Sequence, residues 1–389
     1  MLGEEESAII NELISNPIEV VCETFSYTIV EKIIQYLLTN AMGNIYEGDV
    51  YNEPYLPYMP FDLRGYIENP CVINQLALEI QSKDKMEIEP YYLLFQGCNS
   101  SLPSQSKISD YDSSQDIKNA LKDIIEIHIE EISFRVNNID KTIEEIKNIM
   151  SVYSNGWKPQ MEVITGAFEI AEKNLDYIEE NNINLVISII ETDILDFNKR
   201  NDIYDCLDIM EQKGINYALN IILLSDGELE CEVLKGIFSK HRPYKISFTE
   251  IIENKNIKIR SQFHDERRIE NVSMETFFFR GNMNTCLNGK LAIDCMGNIK
   301  PCIYSRKILG HIKDGIRKIL EDNLQERYWR YSKNKMPVCG TCENRFACAD
   351  CYLVEEMLET EPKAIKIVCD YDIHTGQWKK DREEEYEYC

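Results

Sequence analysis

Between residues 95 and 260 the apolar positions alternate between two periods. IEEISFRV, MEVIT, INLVISII, INYALNIILL and YKISFTEI are short runs rich in Ile, Val, Leu and Phe, the pattern of buried strands. Between them, IDKTIEEIKNIMSVY, AFEIAEKNLDYIEENN, NDIYDCLDIMEQKG and CEVLKGIFSKH space their apolar residues three and four apart, the period of a helix with one buried face. The third of these stops at Gly214, a residue type that accepts the left-handed turn beyond a helix. Strands alternating with helices of this length form βαβ units and a parallel sheet, wound one way by right-handed crossovers. Five strands are predicted, or six with the apolar IEPYYLLFQG at 88–97. The fold class is therefore α/β. A partial (β/α) barrel and an open doubly wound sheet both satisfy the pattern.

The flanks differ. SAIINELISN and YTIVEKIIQYLLTNA have helical spacing, and YNEPYLPYMPFD reads as a loop rich in Pro and Tyr. Beyond residue 275 the periodicity fades, short turns such as CMGN appear, and large apolar residues thin out. A segment of that kind is expected to be held by metal clips more than by a core. Four regions follow: an accessory region at 1–95, the βα repeats at 96–275, a cysteine-rich domain at 276–375 and an acidic tail at 376–389. His128 and the neighbouring pair Glu130–Glu131 read as a solvated helix face, as does Glu144–Glu145. His241 and His311 stand alone, and neither GxxxxGK[ST] nor GxGxxG occurs.

The chain has 389 residues, 44% of them hydrophobic, enough for two or three domains with real cores. Its formal net charge of −25 argues against nucleic acid, whose phosphates need clustered Lys and Arg. Such charge serves solubility or steers a basic peptide. MLGEEESAII lacks the basic start and apolar run of a secretory signal. No stretch of 18 residues is free of charge, so no membrane span is expected. The expected location is the cytoplasm, where structural disulfides are rare. Its 14 cysteines then point to metal or redox chemistry.

Five of those cysteines are scattered before residue 280, eight fall from Cys286 to Cys369, and Cys389 ends the chain. VCGTCENRFACADC contains Cys339-x2-Cys342-x5-Cys348-x2-Cys351, CLNGKLAIDCMGNIKPC contains Cys286, Cys295 and Cys302, and IVCDYD contains Cys369. Paired CxxC turns aim thiolates at one metal, and two pairs make a tetrahedral zinc site. Eight cysteines suit two tetrathiolate sites, the way iron–sulfur clusters are held. Zinc without redox chemistry and a disulfide scaffold are the alternatives.

This arrangement resembles the SPASM domain, the auxiliary-cluster module of many radical SAM peptide-maturing enzymes. The resemblance covers about 95 residues: Cys286, then Gly297-x4-Cys302, then Cys339, Cys342, Cys348, Cys351 and Cys369 in order. One spacing departs, because the last pair of the tight group is often separated by three residues and here by two. The resemblance implies two [4Fe–4S] clusters. Cys339, Cys342, Cys348 and Cys369 would hold one, and Cys286, Cys302 and Cys351 the other. FFFRGNMNT, just before Cys286, has no cysteine to act as a fourth ligand. Cys295 is the favoured substitute, against a structural role for Cys295 or an iron left open. Arg345 and Asp370 flank ligand positions, where they would either tune a potential or lie at the surface.

The CxxxCxxC motif, whose open iron binds SAM in radical SAM enzymes, does not occur. In GCNSSLPSQS, the loop after PYYLLFQG, Cys98 would be followed at the required positions by Leu102 and Gln105. Cys98 thus reads as an ordinary thiol, and SAM is not expected as a cofactor. A SPASM module without those cysteines resembles the peptide maturase of grasp-with-spasm systems, and CENRFACADC fits that group. The resemblance implies a ribosomal precursor peptide as substrate and an ATP-grasp ligase as partner. A non-catalytic scaffold braced by clusters is the alternative, and an active radical SAM enzyme with an unusual ligand set is a third reading, which the missing thiolates disfavour.

Overall fold

The structure is a computed structural model that describes residues 4–39, 72–80, 92–95, 98, 100, 101, 104, 114–125, 127–136, 138–153, 158–166, 172–223, 237, 239–253, 272–321, 324–360, 369 and 371–378. The loop at 51–62, most of the segment 231–241, the tail beyond 378, Leu102, Gln105 and Asp370 lie outside these residues. The chain divides into two compact units, Met1–Tyr58 and Met59–Cys389.

In the first unit, α1 (Glu4–Ser15) and α3 (Tyr27–Thr39) form where helical spacing was read, and α2 (Ile18–Thr24), which the spacing did not show, lies between them. They enclose a small core of Ile9, Val21, Val30 and Ile33.

The second unit is built on a ten-stranded sheet. Its strands are β1 (Val72–Ile80), β2 (Tyr92–Phe95), β3 (His128–Val136), β4 (Gln160–Gly166), β5 (Asn184–Ile190), β6 (Tyr217–Leu223), β7 (Lys245–Glu253), β8 (Lys290–Ile293), β9 (Asn298–Lys300) and β10 (Gly310–His311). They are ordered β10-β9-β8-β1-β3-β4-β5-β6-β7-β2. The run from β8 to β7 is parallel throughout, while β9, β10 and β2 add antiparallel edges. Helices α4 (Ser114–Asp123), α5 (Ile139–Met150), α6 (Glu172–Glu180), α7 (Glu191–Leu195) and α8 (Phe197–Gln212) fill the crossovers. The α/β class expected from the alternation is the one observed.

Which face of each strand meets the helices decides between barrel and doubly wound sheet. Ile132 and Phe134 of β3, Leu185, Ile187 and Ile189 of β5, and Leu219 and Ile221 of β6 share one core. That core includes Ile117 and Leu121 of α4, Ile139, Ile143 and Ile146 of α5, and Ile203, Leu207 and Met210 of α8. The residues between them point the other way, because strand side chains alternate faces. Ala77, Glu79, Ser133, Arg135, Glu162, Ser188, Asn220 and Thr249 are small or polar and line that inner face in register. Asn220 receives Ser247 Oγ and Thr249 Oγ1 at 3.0 Å, and its amide reaches Ser188 Oγ at 3.3 Å. Helices on one face, with an inner face that mixes these polar groups with a buried cluster of Ile164, Val186 and Ala218, are the arrangement of a partial (β/α) barrel.

Three expectations need correction. The strand at 92–95 is no barrel strand but an antiparallel edge on β7. The strand that heads the parallel run is VINQLALEI, β1, whose Asn74, Gln75 and Glu79 break the apolar pattern. His128, Glu130 and Glu131 sit in β3 and not on a helix. Nor is the cysteine-rich segment short of a core: Leu291, Ile293, Ile299, Trp329 and Tyr352 are buried in the main cluster, and β8 pairs with β1.

Candidate functional site

Cys286 follows α9 (Met274–Asn282) and precedes β8. The Asn284 side chain fixes this approach by accepting the backbone N–H of Cys286 and of Leu287, both at 3.0 Å. Gly297 then makes the turn from β8 to β9 with φ of +81°, and Cys302 lies just past β9. The tight group of four cysteines packs on this hairpin through Asp350. One oxygen of Asp350 accepts Thr285 N at 2.8 Å and Thr285 Oγ1 at 2.6 Å, and the other accepts Lys333 Nζ. Asp350 therefore joins the segment leading to Cys286 with the segment carrying Cys348 and Cys351.

Two cavities result. The first, about 40 Å³, is lined by Cys98, Cys286, Cys302 and Cys351, with Arg135 and Lys290 beside them. The second, about 50 Å³, is lined by Cys339, Cys342, Cys348 and Cys369, with Lys333 and Arg345. Each exceeds the space that one water requires. Cys351 reaches the walls of both. The set expected from the resemblance for one cluster is thus gathered around one space, and the three thiols expected for the other are gathered around a second. Among the described residues no disulfide joins two cysteines.

Cys295 is placed elsewhere. It sits in the β8–β9 turn, 7% exposed, with its backbone N–H on Glu79 Oε2 at 3.3 Å. Burial first, then the carboxylates of Glu79 and Asp294, push its thiol far up. It lines neither cavity among the described residues.

Cys98 arrives from the other direction. Of the residues after β2, Cys98, Ser100, Ser101 and Ser104 are pinned at the carboxyl ends of the parallel strands. Arg135 of β3 donates to the carbonyls of Ser100, at 2.9 Å, and of Cys98, and Tyr304 Oη donates to the same Ser100 carbonyl at 3.0 Å. Ser101 N reaches Ser188 Oγ of β5 at 3.3 Å, and Ser104 N reaches Glu79 Oε1 of β1 at 2.7 Å. The carboxyl ends of parallel strands are where α/β folds ordinarily receive ligands. Here a strap of the chain's own residues lies across them.

Electrostatics in the first cavity are set by thiols and cations together. A hydrogen bond from Cys286 is the main cause that holds the Cys98 thiol well below its ordinary value, with Lys290 and Arg135 assisting. The same bond, and burial, drive Cys286 well above its own. Burial lifts Cys302 to about 11. In the second cavity burial lifts Cys339 and Cys348 to about 12 against the pull of Lys333. Lys333 is itself buried, and donates to the Cys348 and Ala349 carbonyls at 3.3 and 3.0 Å. Burial also raises Glu355 to about 7 in spite of Lys333, 3.6 Å away. Arg345 is tied to the Cys342 carbonyl at 2.7 Å and to Asn334 at 2.8 Å, which places it in the wall of the site.

These donor sets fit an iron–sulfur cube. Several thiols around one space, most of them half-buried, beside a buried cation form a soft, polarised cage. The site residues that spacing did not single out are Cys98, Arg135, Lys290, Lys333 and Asp350. Asp350 lies inside CADC and Lys290 inside CLNGKLAIDC.

No protein-family model matches the chain, and no curated protein matches its sequence. Among solved structures it is similar to native anSMEcpe with bound AdoMet, at 14% identity and a TM-score of 0.47, over 75% of this chain and 99% of that one. It is likewise similar to native anSMEcpe with bound AdoMet and Kp18Cys peptide, at 13% identity and a TM-score of 0.46, over 76% of this chain and 99% of that one. What this chain's cysteines can hold follows from their own placement. Among the described residues no helix is long and apolar enough to cross a membrane.

Proposed function

We propose that the protein is an iron–sulfur maturation protein of the SPASM type. It carries two [4Fe–4S] clusters and acts on a ribosomally made precursor peptide beside an ATP-grasp partner. The single observation that carries the cluster assignment is the sorting of the late cysteines into two cavities, each with its own cation. Cys339, Cys342, Cys348 and Cys369 would hold one cluster, and Cys286, Cys302 and Cys351 would supply ligands to the other. The peptide and ligase rest on the motif resemblance. An acidic chain of −25 net charge favours a peptide with basic stretches.

The clusters would supply electron transfer or a rigid frame for peptide binding. SAM cleavage is not part of the proposal, because the strap from Cys98 to Ser104 offers one thiol where that chemistry needs three. The test is electron paramagnetic resonance on the anaerobically reconstituted, dithionite-reduced chain, with SAM then added. Reducible clusters and no release of 5′-deoxyadenosine are the expected result. Iron that no reductant reaches would favour the scaffold reading, and release of 5′-deoxyadenosine would overturn the exclusion of SAM chemistry.

A further inference from the structure

We infer that Cys98 is the fourth thiolate of the cluster held by Cys286, Cys302 and Cys351, delivered from the barrel side by the strap across the strand ends. The inference rests on the reading of that cavity as a cluster site.

Three observations converge. Cys98 lines the same cavity as the three late cysteines. The strap that brings it there is held by five named hydrogen bonds to β1, β3, β5 and Tyr304. Two cations, Arg135 and Lys290, stand in the wall, as the excess negative charge of a tetrathiolate cluster requires. Cys295, the candidate nearest in sequence, lines neither cavity among the described residues and faces Glu79 and Asp294 instead.

The consequence is a cluster that ties barrel to module. Residue 98 and residue 286 are 188 positions apart in the sequence, so the site closes only when the strap is seated. On binding, the Cys98 thiol gives its proton to solvent and its sulfur bonds to the iron that the other three thiolates leave unfilled. No oxidant or reductant enters that step. The cluster has no open iron for an outside ligand, in contrast to the arrangement that binds SAM.

The experiment compares the full chain with Cys98→Ala and Cys295→Ala after anaerobic reconstitution, reading iron, acid-labile sulfide and the paramagnetic spectrum. Cys98→Ala is expected to lose or alter the signal of one cluster and to bind less iron, while the cluster of Cys339, Cys342, Cys348 and Cys369 remains as an internal control of folding. Cys295→Ala is expected to match the parent. A second readout needs no substitution. In the metal-free parent, Cys98 is solvent-exposed and is expected to react with N-ethylmaleimide, then to be protected once iron and sulfide are bound. Parental iron and spectrum in Cys98→Ala, loss in Cys295→Ala, or a Cys98 that stays reactive in the loaded parent would overturn the assignment alone. A parent that takes up neither iron nor sulfide would overturn the cluster reading as well.

Discussion

Gly297 shows what single residues contribute to this site. It turns β8 into β9 at φ of +81°, and a Cβ there would meet His311 Nε2 at 2.9 Å. The same imidazole Nε2 is 3.0 Å from the Met296 carbonyl, so it has little room to retreat. Gly297→Ala is expected to destabilise the chain by at least the 1–2 kcal/mol or so that left-handed backbone costs other residues, measured by chemical denaturation. It should also weaken iron uptake, because Cys302 hangs from that hairpin. The motif Gly297-x4-Cys302 was legible for this reason: a backbone need leaves a mark in sequence. Cys98 was not. Its partners are far away along the chain, and nothing local distinguishes a thiol seated among others from one in an ordinary loop. Cys295, near Cys286 and Cys302 in sequence, lines neither cavity among the described residues.

Elements were readable where one period ran unbroken. β5, NLVISII, is buried along nearly its whole length, and α5 buries Ile139, Ile143, Ile146 and Ile149 along one stripe. β1 was missed because its inner face must be polar: Glu79 accepts Ser104 and the Cys295 N–H. The end of α8 allows a pH prediction. Glu211 accepts Arg242 N at 2.7 Å and Tyr217 Oη at 2.9 Å, and these bonds, the backbone one first, hold its carboxylate below its ordinary 4.5. A carboxylate depressed by folding stabilises above the unfolded value and loses that contribution as pH falls through the folded one. Glu211→Gln is therefore expected to cost about 1 kcal/mol near neutrality, the low end for a bond to a charged group because the carboxylate is a third exposed. Urea unfolding should show the difference shrinking below about pH 4. A deficit independent of pH would mean that packing, and not charge, explains it.

At the scale of the molecule, the barrel and the cysteine module share one sheet, through β8 on β1, and one core. The fading periodicity after residue 275 concealed this, because β8 and β9 are only four and three residues long and their partners lie elsewhere in the chain. A frame of this kind suits a protein whose two cages must keep fixed positions relative to its strand ends. Everything proposed for it depends on what those cages hold. The most direct measurement is the iron and acid-labile sulfide content of the anaerobically reconstituted chain, beside that of Cys348→Ala. About eight of each per parent chain, and about four with a lowered melting temperature in the variant, are predicted from two four-iron clusters whose binding is coupled to folding. A colourless parent that binds zinc and no sulfide, or a variant with undiminished iron, would contradict the account.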